Sequence, residues 1–236
     1  MQRAPIFKTM YFRLGSWIAL ISATATLTAS CALGVAQTSP NSTNAEDFGT
    51  FTGTLELHPT GDGVHMSVVK TYSYIDSERH TLTANPGFET DGASIPRALW
   101  TVVGSPFTGK YIGAAVIHDV GCDTHKYSWE VTHRMFYTAM RELGVSENYA
   151  KLLYWGVRIG GPRWDETVKG GGLGHGPRTV IVPLPSRAEL TDEQVMRIQR
   201  YIENRAETKA GAVTLDQIDA RTPLTGDLPL NAVPNN

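Results

Sequence analysis

Residues 110–119 read KYIGAAVIHD, and the run continues as VGC through Cys122. Before this stretch the chain is patterned for strands. The segments FTGTLEL (51–57), HMSVVKTYSYI (65–75) and RHTLTA (79–84) are rich in Thr, Val, Tyr and Ile, and are separated by the turn-forming PTGDG and DSE. At residue 110 the period changes. KYIGAAVIHD, SWEVTHRMFYTAMREL (128–143) and SENYAKLLYWGVRI (146–159) each suit a helix, the last opening at Ser146 as N-cap with Glu147 in its first turn. The expected class is α+β: a small antiparallel β-meander followed by a helical core of three or four helices.

Beyond the third helix, GGPRWDETVKGGGLGHGPR (160–178) is too glycine-rich for a regular element and reads as a long loop carrying His175. TVIVPLP follows. A further helix then opens with Thr191 and Gln194 spaced as a capping box, and Val195, Ile198 and Ile202 give it one apolar stripe. From about Lys209 the chain is polar and proline-containing and reads as a tail (209–236).

The chain is 236 residues long, 41% apolar and 19% charged, which is ordinary for a globular protein. Its formal charge is −2, but residues 1–31 hold Arg3, Lys8 and Arg13 and no acid, so the remainder is net −5. A mildly acidic body argues against nucleic acid as a partner, because binders of phosphate backbones need basic surface. Lys8 and Arg13 precede an uncharged stretch from Leu14 to Leu33, the pattern of an export signal. Within it LTASCA (27–32) is similar to a bacterial lipobox, which makes Cys31 the expected lipidation site; cleavage after Ala32 is the alternative. The expected organisation is a signal at 1–31, a flexible linker at 32–50 and one domain at 51–208. The expected location is the periplasm or outer membrane, reached by export and held at the membrane by the lipid, with an envelope component or lipid as partner. With only Cys31 and Cys122, a disulfide framework is excluded.

The residues that invite chemistry are the adjacent His118 and Asp119. Burying either without a partner costs several kcal/mol, and partnered His-Asp groups are also the material of hydrolytic sites. On a helix the two side chains diverge by about 100°, so His118 would face a substrate as base while Asp119 faces a metal or a loop. His133 aligns with Phe136, Tyr137 and Met140, on the face that turns inward, where it can meet His118. Asp91, in TDGASIPR, is placed to add a carboxylate to the same cavity. Two histidines with Asp91 or Asp119, and Cys122 or His125 beside them, would suit zinc; carboxylates and loop carbonyls would suit calcium. Trp155, Arg158, Arg163 and Trp164 crowd the end of the third helix, and Arg158 with Trp164 would bind an anionic substrate at a rim. The alternative is that these residues close a bundle, and that the histidines fix helix packing.

Two resemblances follow. GFETDGASIPRALW, YIGAAVIHD, THRMFYTAM, GV and YWGVRIGGPRW, taken in order over residues 88–164, resemble the bacterial and phage family known as domain of unknown function 1353. That family implies no reaction. A loop with Asp-Gly, a helix ending in His-Asp and a second helix are also similar to secreted phospholipases of the A-two type. This likeness implies His118 as the base that activates water, and Asp119 with carbonyls of residues 91–94 as calcium ligands. His133 stands where those enzymes carry an orienting acid, and their disulfides are absent. The expectation is either a metal-assisted hydrolase of lipid or other esters, or a non-catalytic envelope binding or scaffold protein.

Overall fold

A computed structural model describes residues 46–92, 99, 109–169, 178–184, 190–208, 211–222, 233 and 234. The expected signal, Cys31, most of the expected linker, residues 93–98 and His175 lie outside the described residues.

The strand-patterned half forms six short strands: β1 (Thr50–Thr52), β2 (Leu57–Pro59), β3 (Met66–Val68), β4 (Tyr72–Ile75), β5 (Thr81–Ala84) and β6 (Glu89–Thr90). They make two antiparallel sheets, ordered β1-β4-β5 and β2-β3-β6, so the meander divides in two. FTGTLEL supplies one strand to each sheet, as does HMSVVKTYSYI. Alternation decides the faces. Tyr72 and Tyr74 on β4 are buried, and the register sets them opposite Ala84 and Leu82 on β5, which are buried too.

That apolar face packs on helix α1 (Ile112–Thr124), which packs on α2 (Trp129–Glu142), which in turn packs on α3 (Glu147–Gly160). The α+β class is as the sequence indicates. Helix α1 is buried from Gly113 through His118 and again at Val120 and Gly121, as expected of a helix apolar on nearly all sides. Its small residues allow close approach: a Cβ at Gly113 would lie 2.4 Å from Tyr72 Oη, and one at Gly121 would lie 2.5 Å from Thr132 Cγ2. The helix ends where His125 adopts a left-handed conformation (φ 50°) and its N–H returns to the Gly121 carbonyl. Helix α2 is capped by Ser128, whose hydroxyl accepts from Val131 N–H. Ser146 has the extended backbone of a cap before α3, but its side chain makes no cap hydrogen bond.

Two stretches differ from the sequence expectation. The glycine-rich segment is not a continuous loop: Trp164–Lys169 is strand β7 and pairs antiparallel with β8 (Arg178–Pro183), from Trp164↔Pro183 to Lys169↔Arg178. Its composition is dominated by the glycines at 170–176, which mask six residues able to pair once a partner is present. The polar tail also contains an element, α5 (Leu215–Arg221), with a full capping box between Thr214 and Gln217. Helix α4 (Asp192–Glu207) opens with the Thr191–Gln194 capping box and buries Val195, Ile198 and Ile202, as the sequence indicates. Helices α4 and α5 both pack on α3, which explains why α3 is buried without interruption from Ala150 to Ile159. Among the described residues no helix is long and apolar enough to cross a membrane.

Gly121→Ala is expected to lower stability by about 1–3 kcal/mol through the clash with Thr132, although alanine is the better helix former. Thermal unfolding of Gly121→Ala against Gly121→Ala/Thr132→Ser checks this: the second change removes Cγ2 and should restore part of the loss.

Candidate functional site

Helices α1 and α2 bring His118 and His133 together. Both side chains are fully buried, and His118 Nε2 lies 2.8 Å from His133 Nδ1. The ring planes are inclined by 26°, with Phe136 against His118 and Trp129 edge-on to His133. Around His118 stand Cys122, with Sγ 3.7 and 3.8 Å from the two ring nitrogens, and Asp119, with Oδ1 3.9 Å from Nδ1. Burial by itself would lower the His118 pKa, but Cys122 and Asp119 together outweigh it and push it up to about 10. His133 moves the opposite way: burial, then the His118 charge, then Arg158 hold it well below the usual imidazole range. One proton therefore serves the pair. Assigned from this network, His118 Nε2–H donates to a neutral His133. The remaining nitrogen of His133 is turned to the backbone of Pro162, and the ring edge abuts Gly161, where a Cβ would stand 3.2 Å away.

While its Oδ1 stands near His118, Asp119 points its other oxygen away from the pair. Its Oδ2 accepts a 2.5 Å hydrogen bond from Thr90 Oγ1, which itself accepts from Gly92 N–H, so the carboxylate ties β6 and the following turn to α1. Asp119 and Asp91 line one cavity of about 510 Å³ together with His65, Glu89, Cys122 and Asp123. Neither His118 nor His133 lines it. The structure thus joins Asp91 to Asp119 and His118 to His133, with Asp119 and Cys122 between the cavity and the imidazoles.

The His118–His133 pair is not arranged to hold zinc. Two nitrogens bound to one tetrahedral zinc stand about 3.3 Å apart, from Zn–N bonds of about 2.0 Å, whereas these two face each other at 2.8 Å across a hydrogen bond. Among the described residues no three His, Cys, Asp or Glu side chains converge in a way that could hold an ion. His125 is turned instead to Trp164, ring edge to ring face.

Arg158 and Trp164 do not form an open rim. They retain 2% and 3% exposure. Arg158 lies 4.5 Å over the Trp129 ring, pairs with Asp219 Oδ1 at 3.0 Å, and donates to the Thr222 hydroxyl and carbonyl. Arg163, also buried, extends over the same Trp129. The reason is α5: Asp219 also accepts from Tyr154 Oη and from Arg134, at 2.6 Å each, and Arg134 reaches Asp216 as well. Asp219 lies in no motif of the sequence. Its only signal was the spacing of Thr214 and Gln217, a helix start in a stretch otherwise read as tail.

The family described as "Protein of unknown function (DUF1353)" matches residues 66–157. The uncharacterised protein y4iH of Sinorhizobium fredii (strain NBRC 101917 / NGR234) is 36% identical over 188 residues, covering 74% of this chain and 77% of y4iH. The chain belongs to the DUF1353 family. A second uncharacterised protein of that strain, y4jT, is 37% identical over 120 residues, 48% of this chain and 36% of y4jT. No solved structure matches. The DUF1353 segment runs from β3 to near the end of α3, so it contains Asp91, His118, Asp119, Cys122 and His133. Arg158, Trp164 and Asp219 fall beyond it.

Two outcomes follow. Because His133 titrates below an ordinary histidine, the unfolded chain takes up a proton near pH 6.5 that the folded chain refuses. Its contribution to stability is complete above that value and is lost as pH falls, by at most about 1.4 kcal/mol per pH unit. Melting curves from pH 7.5 to 5 should therefore fall more steeply for the native protein than for His133→Gln; parallel curves would contradict the assignment. Asp219→Asn should cost about 3 kcal/mol in chemical denaturation, near the lower bound for breaking a buried pair, since Arg158 keeps its Thr222 partners.

Proposed function

We propose that this DUF1353 protein is a non-catalytic binding or scaffold protein of the cell envelope, and that its His118–His133 pair is the polar joint of the helical core. In this reading residues 1–31 direct export, Cys31 carries the lipid that holds the chain at the membrane, and the body beyond the linker meets an envelope component. The leader pattern and the LTASCA motif support the export and the anchor. The observation that carries the structural role is the sealing of both histidines together with their 2.8 Å mutual hydrogen bond. A general base must come within hydrogen-bond reach of its proton, directly or through one water. His118 instead gives Nε2 to His133 and faces Cys122 and Asp119.

The arrangement has a packing rationale. Helices α1 and α2 approach at Gly121 and Thr132, and an apolar contact there would leave their rotation undetermined. A single directional bond between buried imidazoles fixes one orientation, because any slip leaves polar nitrogens unpaired at a cost of about 1–3 kcal/mol each.

His118→Asn tests the reading. It should lower the unfolding free energy by about 2–4 kcal/mol, while membrane association and the recovery of envelope partners by crosslinking stay as in the native protein below the melting transition. If the native protein instead hydrolyses lipid or other ester substrates, and His118→Asn abolishes turnover with an unchanged melting temperature, the hydrolase reading replaces this one.

A further inference from the structure

A cavity of about 290 Å³ opens where the start of α3 meets the middle of α4. Among the described residues its polar lining is a hydroxyl, two carboxamides and a carboxylate: Ser146 and Asn148 from the start of α3, Gln199 and Glu203 from α4. The apolar lining is Tyr149 with Leu152 and Ile202, the last two almost fully buried where the helices pack. On each helix the lining residues are spaced by three and four, 148/149/152 and 199/202/203, so each helix turns one face to the cavity.

The polar groups are partly preset. Gln199 Nε2 donates to Glu203 Oε1 at 2.9 Å, one turn along α4, which holds the two side chains as a unit. The Gln199 carbonyl oxygen and the second carboxylate oxygen keep their lone pairs. Ser146 has the extended backbone of an N-cap, yet its hydroxyl makes no cap hydrogen bond to α3 and stays both donor and acceptor. A ligand for this lining has to give and take hydrogen bonds in one place. An anion would meet the Glu203 charge, and a simple cation would face the N–H groups of Asn148 with nothing to accept them. Hydroxyl groups satisfy all four, because each one donates and accepts. The apolar side asks for something else: the electron-rich face of a tyrosine ring attracts weakly positive C–H bonds. Tyr149 also stands against Tyr111, and what it lends the cavity is its ring. The volume lies at the lower end of the ~300–1,000 Å³ of small-molecule sites, the size for one saturated ring rather than a chain.

We infer that this cavity binds one pyranose unit, with Glu203 and Gln199 accepting from its hydroxyls, Ser146 and Asn148 both donating and accepting, and its C–H face laid on Tyr149. A carboxylate accepts from two neighbouring hydroxyls at once, and such charge-assisted bonds are the stronger ones. The unit belongs either to a glycan chain or to a free sugar. The site is separate from the His118–His133 pair, and neither the packing role of that pair nor the export signal has a part in it.

Ligand-observed saturation-transfer NMR on the full-length protein, titrated with methyl α-glucopyranoside, N-acetylglucosamine and its trimer chitotriose, tests it. Saturable binding of at least one in the millimolar range is expected. It should weaken by about tenfold in Glu203→Ala, which removes a charge-assisted acceptor, and by a smaller factor in Asn148→Ala. Arg200→Gln should leave it unchanged, since Arg200 is exposed on α4 outside the lining. Tighter binding of the trimer than of its monomer assigns a glycan chain, and equal binding of the two assigns a single sugar. Glu203 is exposed, so Glu203→Ala should keep the unliganded melting temperature. Absence of saturable binding of all three ligands by the native protein overturns the assignment. So does equal affinity in Glu203→Ala, or in Asn148→Ala should the first variant not fold.

Discussion

A hydrogen bond between two fully buried imidazoles, His118 on α1 and His133 on α2, is the constraint around which the helical core is arranged. Two neutral or singly protonated rings can share one proton at 2.8 Å, whereas two cations at that distance in a dry interior cannot coexist. The neighbours divide the roles. Cys122 and Asp119 favour charge on His118, while Arg158 and Arg163 oppose it on His133. The polarity of the pair is therefore set from outside, by two side chains of α1 and two arginines at and just past the end of α3.

The charged groups near this core are arranged in stages. Arg158 is nearly sealed, and it is tolerable there because Asp219, Thr222 and the face of Trp129 receive it. Asp219 does the same for Tyr154 and Arg134, so one carboxylate on α5 joins α5 to both α2 and α3. Where β6 meets α1, a cavity is lined by Asp91, Asp119, Glu89 and Asp123.

Membership of the DUF1353 family covers β3 to α3, the segment that contains the histidine pair and the Asp119 carboxylate. Helix α5, which receives Arg158, and the paired strands β7 and β8 lie outside that segment. The His-Asp motif therefore belongs to the part of the chain that defines the family, whereas the burial of its surroundings is completed by the elements that follow.

What the sequence by itself determined is whatever depends on local periodicity. The alternation of Tyr72, Tyr74, Leu82 and Ala84, the inward faces of α1 to α3, the capping box of α4, and the meeting of His118 with His133 all follow from repeats of two or of 3.6 residues. Only the tertiary structure decided the rest. Residues 164–169 become a strand because β8 lies beside them, and a stretch judged alone has no such partner. Arg158 reads as surface-seeking until Asp219 is brought to it. The Arg134–Asp219 pair spans 85 residues, and a contact made across that distance leaves no periodic trace at either end.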